Sequence, residues 1–226
     1  MGTAYNANIV TDGLVLCLDA ANPRSYPLSG TSWNDLSGNG NNFTLFGASF
    51  DNDLRTMTFN GDGNHARRGV PDVLQIKEDI TLSFLHRRAI NGGDENGALI
   101  RCGVSSDLLY CVFHRSDGSL SYHWFSGSFQ TRYAAANCAP LGDWLFTSVR
   151  IIGTSLQFYV NGTLVTSTSV TSPSPSSAGT ISIGNTSSVG FQDFSGDIAV
   201  VLVHNRGLKP EEIRQNHKTI RGRYGI

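Results

Sequence analysis

The chain has 226 residues, of which 39% are hydrophobic and 15% charged, with a formal net charge of −1. A chain of this length can bury a sizeable core without disulfides, and β-sandwiches of this size are commonly one domain, so residues 1–226 are expected to form one. The near-neutral balance excludes a global electrostatic drive toward nucleic acid or anionic membrane, and no apolar run approaches a bilayer span.

The first ten residues, "MGTAYNANIV", lack the basic and apolar regions of a secretory leader, so the expectation is a soluble chain made in a cytosol. "GLVLCLDA" (13–20) alternates as a strand, with Leu14, Leu16 and Leu18 on one face. "YPLSGTSWNDLSGNGNN" (26–42) reads as a long polar loop anchored by Trp33. "RTMTFNG" (55–61) places Met57 and Phe59 together, and "DITLSFLHRR" (79–88) points Leu82 and Phe84 inward. "GALIRCG", "LLYCVFH" and, after an Asp117-Gly118 turn, "SLSYHWF" continue the strand pattern. "WLFTSVRII", "TSLQFYV", "TLVTSTSV", "GTISIG" and "FSGDIAVVLVHN" follow. Turn residues interrupt these runs roughly every 8–12 residues, the spacing of a sandwich or barrel. "TSPSPSSAG" (171–179) is expected to be a flexible exposed loop.

The last segment changes period. "GLKPEEIRQNHKTIRGRYGI" (207–226) predicts a helix over about 210–221. Pro210 suits the first turn, Glu211 and Glu212 complement its positive end, and Lys218 and Arg221 the other. Gly222 is a candidate stop. Ile213, His217, Ile220 and Tyr224 share one face, expected to be buried.

"FYVNGTLV" (158–165) carries both a sugar-acceptor pattern, Asn161-Gly162-Thr163, and the strongest short hairpin signal, Asn-Gly. The chain holds three acceptor patterns, at Asn42, Asn161 and Asn185, which is what its Asn, Ser and Thr content gives by chance. The hairpin reading is therefore preferred. Cys17, Cys102, Cys111 and Cys138 form no C-x-x-C pair. Cys102 and Cys111 could meet across a hairpin, although cytosolic thiols usually stay reduced.

"DGLVLCLDAANPRSYPLSGTSWNDLSGNGNNFTLFG", "MTFNGDGN", "SLQFYVNGTLV" and "FSGDIAVVLVHNRGLKPEEIRQNHKTIRGRYG" follow one another in an order that resembles the laminin-G-like, concanavalin-A-like lectin/glucanase domain, in the form common in bacteriophage structural proteins. Phe194-Ser195-Gly196-Asp197-Ile198, leading through "HNRGL" and "EEI" to "RYG", is the most specific part. The resemblance covers about residues 9–226 and implies an all-β fold, a jelly-roll sandwich of two antiparallel sheets, here with one C-terminal helix. One departure is Cys17, where such sequences usually place a bulky aromatic.

Such a fold serves sugar binding, protein binding, glucan cleavage or particle building. Glucanases resembling it carry Glu-x-Asp-x-x-Glu on one strand. This chain has four glutamates, Glu78, Glu95, Glu211 and Glu212, and none begins that motif. No catalytic residues are assigned, and the chain is expected not to be an enzyme. Laminin-G-like domains often hold calcium at a rim. Asp51, Asp53, Asp62, Asn64, Asp94 and Glu95 offer oxygens for such a site, but the same residue types make turns. No cofactor is expected, with calcium as the alternative. The six histidines show no ligand spacing.

"SYHWFSGSFQTRY" (121–133) is the densest aromatic stretch. Tyr122 and Trp124 share a strand face opposite His123 and Phe125. Facing outward, they could stack on a sugar, with Arg132 and Tyr133 adding hydrogen bonds. Facing inward, they are core, which is the preferred reading. On the helix, Arg214, Lys218 and Arg221 form a solvated basic face or a docking patch for an acidic protein surface.

Without heptads or a fibrous repeat, a tail fibre is disfavoured. The leading expectation is a virion protein decorating head or tail, bound to other capsid or tail proteins and open to self-association. Its alternatives are a host-glycan or receptor-binding module and a glycan depolymerase.

Overall fold

A computed structural model describes residues 8–90, 96–185 and 192–225. In chain order the strands are β1 (Leu14–Asp19), β2 (Ser32–Trp33), β3 (Phe43–Phe46), β4 (Ser49–Asp51), β5 (Thr56–Asn60), β6 (His65–Gly69), β7 (Ile80–Arg88), β8 (Asn96–Cys102), β9 (Tyr110–Arg115), β10 (Leu120–Phe125), β11 (Phe129–Tyr133), β12 (Leu145–Ile152), β13 (Ser155–Val160), β14 (Thr163–Ser169), β15 (Thr180–Ile183) and β16 (Ser195–His204), and the helix α1 is Pro210–Tyr224. The first sheet runs β14-β13-β12-β7-β16-β5-β4, with β1 also paired to β16. The second runs β11-β10-β9-β8-β15-β6-β3-β2. Neighbouring strands are antiparallel. The protein is an all-β jelly-roll sandwich of two antiparallel sheets with one C-terminal helix.

Alternation in the strands fills the space between the sheets. Leu82 and Phe84 of β7, Met57 and Phe59 of β5, and Tyr122 and Trp124 of β10 all enter that core. Trp33 is fully buried there and anchors the long polar loop. Asp35 organises the same loop by accepting from the backbone N–H groups of Cys17, Ser37 and Asn41.

A second apolar layer lies on the other face of the first sheet, under α1. It explains why "IAVVLVH" in β16 is apolar without alternation. Ile198, Val201 and Val203 face the inter-sheet core, while Ala199, Val200 and Leu202 face the helix layer. Cys17 sits in this helix layer opposite Leu202, so the position takes a small buried thiol. Burial pushes that thiol up to about 12, so it stays protonated.

Several expectations change. Leu16 and Leu18 face the core, but Leu14 packs on the helix side, because β1 shifts register between Leu14 and Leu16. The helix passes Gly222 and ends at Tyr224, where Gly225 takes φ 70° and closes the cap. Ile213 and Ile220 are fully buried as expected. His217 and Tyr224 are only half-buried, and the third fully buried position is Asn216, whose Oδ1 accepts from the Val10 N–H at 2.8 Å. Cys102 and Cys111 cannot pair across their hairpin. Cys102 is opposite Tyr110 and Cys111 opposite Arg101, so their side chains leave opposite faces. The loop 171–179 is mostly exposed but tied to β10: Trp124 Nε1–H donates to Thr171 Oγ1, and the Ser174 N–H donates to the Phe125 carbonyl.

Candidate functional site

Alternation along β10 decides what the aromatic stretch can do. Tyr122 and Trp124 are buried, 2% and 1% exposed, with rings 5.6 Å apart. Their faces are spent on the core, which corrects the outward reading. Arg132 lies opposite Tyr122 and turns to the sandwich rim. Its guanidinium sits 5.4 Å from the Trp124 ring, and its Nε donates to the Ser169 carbonyl at 2.9 Å. Arg132 therefore ties the edge of the second sheet to the edge of the first. Tyr133 alone of the four is exposed, at 54%.

Because Tyr122 and Trp124 point in, Ser121, His123 and Phe125 point out. Register extends this outward face onto β11, with Ser121 opposite Tyr133, His123 opposite Thr131 and Phe125 opposite Phe129. Phe129 is 53% exposed. Beside it a hollow of about 530 Å³ is lined by Arg101, Ser106, Phe125, Phe129 and Gln192. It combines two aromatic rings and a cation from the sheet with a hydroxyl and an amide from flanking segments, a mix suited to an amphipathic ligand. None of these five was singled out from the sequence. Phe125 and Phe129 were legible only once the direction of Tyr122 and Trp124 was settled. Gln192 comes from a loop and Ser106 from a single 3-10 turn, Ser105–Asp107, neither long enough to show a period.

The rest of this face supports the aromatics. The His123 ring packs edge-on to Phe113 at 4.7 Å and Phe129 at 5.5 Å. Its nitrogens meet Ser121 Oγ at 2.9 Å and Thr131 Oγ1 at 3.1 Å. Burial, with help from Arg115 and Arg101, pushes His123 down to about 3, so the ring is neutral. Arg115 lies 5.0 Å over the Tyr133 ring and holds it in place.

The other candidates are placed as follows. Arg214, Lys218 and Arg221 are exposed on the outer side of α1, and Arg214 pairs with Glu211 at 2.8 Å. Asp51 Oδ1 accepts from the N–H groups of Asp53 and Leu54, and Asn60 Oδ1 from that of Asp62, so this segment spends oxygens on turns. Among the described residues, no three His, Cys, Asp or Glu side chains converge on a metal-sized site. Asp94 and Glu95 lie outside the described residues. Glu78, Glu211 and Glu212 lie outside the strands. Asp19 is bound to Arg223 at 2.8 Å and Asp197 to Arg87 at 2.8 Å. No described helix is long and apolar enough to cross a membrane.

A family model described as the Concanavalin A-like lectin/glucanases superfamily matches residues 60–214. The chain belongs to this family. No curated protein matches the sequence. Among solved structures, it is similar to the botulinum neurotoxin serotype D binding domain, with TM-score 0.70 and 13% identity over 92% of this chain and 52% of that one. A second structure of the serotype D ligand binding domain, in complex with N-acetylneuraminic acid, gives 0.68 and 12% over 92% and 51%. A Trypanosoma rangeli sialidase gives 0.68 and 16% over 92% and 32%. This concanavalin-A-like chain thus spans about half the length of the toxin domains and a third of the sialidase. At these identities the likeness is one of fold.

Proposed function

We propose that this chain is a non-catalytic glycan-recognition module, carried on a bacteriophage particle as an accessory protein of head or tail. The observation that carries the glycan reading is the hollow at Phe125 and Phe129, with Tyr133 exposed on the same outward face. Flat rings held on a sheet offer a platform for the apolar face of a sugar. Arg101, Ser106 and Gln192 supply donors and acceptors for its hydroxyls. Two of the similar structures are toxin binding domains, one in complex with N-acetylneuraminic acid.

The non-catalytic reading is supported by the carboxylates. Retaining hydrolysis needs two carboxyl groups about 5–5.5 Å apart facing a sugar. Of the buried carboxylates among the described residues, Asp19 and Asp197 are each engaged by an arginine, and Asp193 accepts from the Gly63 N–H at 2.8 Å. The phage setting rests on the sequence resemblance. Within it, the exposed Arg214, Lys218 and Arg221 of α1 offer the surface that docks on an acidic particle protein.

The test is retention on immobilised host envelope polysaccharide, comparing the parent with Phe129→Ala and Tyr133→Ala. Retention by the parent that falls in both variants is the expected result. Equal retention of all three would move the site elsewhere.

A further inference from the structure

We infer that the sugar held on the second sheet is an acidic one, its anionic groups taken by Arg67 and Arg101. This deepens the glycan reading and rests on it. Register places one row of side chains on the face of the sheet away from the core, in which Ser182, Cys111 and His123 are buried. Thr44 pairs with Arg67, Arg67 with Ser182, Ser182 with Arg101, Arg101 with Cys111, Cys111 with His123, and His123 with Thr131. Two arginines thus stand two strand steps apart, about 9.5 Å between Cα atoms at the usual strand spacing. No carboxylate occupies any position in the row.

No carboxylate stands between the arginines. Ser182 is short and buried, with its hydroxyl turned to the Asn185 carbonyl at 2.6 Å. Thr180, two residues earlier on the same face, is opposite Gly69. A Cβ added at Gly69 would meet nothing within 4 Å, so the space there is open. Aromatic rings bound the row at both ends. On one side, Arg101 lines the hollow with Phe125 and Phe129. On the other, Arg67 lies 5.2 Å over the exposed Phe46 ring, which stacks on His65 at 4.8 Å. At the Arg101 end, Asp107 is occupied by the N–H groups of Val104 and Gly179. Two guanidinium groups, each beside exposed aromatic rings, suit a saccharide whose carboxylate or sulfate groups meet the arginine forks.

The experiment measures affinity for a panel: dextran and xylan as neutral polymers, polygalacturonate and alginate as carboxylated ones, heparin as a sulfated one, and a DNA oligonucleotide. Parent, Arg67→Gln, Arg101→Gln and an Arg214→Glu/Lys218→Glu control are compared. The expected result is preference for a carboxylated or sulfated polysaccharide, weakened roughly tenfold by either row substitution and unchanged by the helix control. The two acidic classes, compared with each other, identify the anion. Preference for a neutral polymer with no effect of the row substitutions would overturn the acidic assignment and leave the glycan reading standing. Binding to no polysaccharide would overturn both. Equal binding to DNA, or loss in the helix control, would mean non-specific charge attraction and would also overturn the assignment.

Discussion

His86 Nε2 lies 3.0 Å from His114 Nδ1, with both rings fully buried and held edge to face. His114 Nε2 faces the Ala139 carbonyl at 2.8 Å, so that nitrogen carries a hydrogen and donates. In the neutral ring Nδ1 is then the acceptor, and His86 Nε2–H donates to it. The buried Arg88 guanidinium donates to the His114 carbonyl. A proton added to either imidazole would place a second buried cation beside it.

Burial therefore holds His86 well below the ordinary histidine range, reinforced by His114, and pushes His114 down to about 4. Unfolded, each titrates near 6.5, so between pH 6.5 and about 4 the unfolded chain binds more protons. Stability is full above 6.5 and is lost as pH falls through that window. His114 alone corresponds to about 3 kcal/mol by pH 4. Urea unfolding at pH 7.0 and 4.5 checks this. A flat profile would show that the pair is not held neutral.

The Asn161-Gly162 turn gives a second expectation. Both residues have positive φ, 51° and 76°, as the primed hairpin requires. A Cβ on Gly162 would stand 3.2 Å from Arg214 Cγ and 3.3 Å from His217 Nδ1, so the turn also packs on the helix. Gly162→Val should cost about 1–3 kcal/mol. Asn161 Oδ1 accepts from the Phe146 N–H at 3.0 Å, and Asn161→Ala should cost about 1 kcal/mol. Melting of both variants like the parent would refute the strain and the bond together.

The helix layer separates fold from docking. Ile213→Ala and Ile220→Ala empty fully buried sites and should each cost about 2–5 kcal/mol. Arg214→Glu with Lys218→Glu alters exposed positions and should leave thermal stability nearly unchanged while reducing incorporation into particles. Normal incorporation would assign the basic face to solvent alone.

Hydrolysis gives a further functional expectation. Incubation with β-glucans, alginate or host polysaccharide should release no new reducing ends. Release that disappears on substitution of one aspartate would make the chain an enzyme.

The fold was largely legible because its signals are local. Alternation, the Asn-Gly turn and the 3.6-residue period of α1 each follow from neighbouring residues. The site was less legible. Register joins Arg67 to Arg101 through Ser182, and these residues lie far apart in sequence. The direction of β10 depended on whether Trp124 found a core, which no window around it reveals. Asn216 took a fully buried position because Val10, 206 residues away, supplied a partner.

We propose that a sugar sits on the outward face of the second sheet. The most direct measurement is backbone amide chemical-shift mapping while the retained oligosaccharide is titrated in. The account predicts that the largest shifts fall on Arg101, Phe125, Phe129 and Gln192, with residues 210–224 unmoved. Shifts confined to the helix, or to the first sheet, would contradict it.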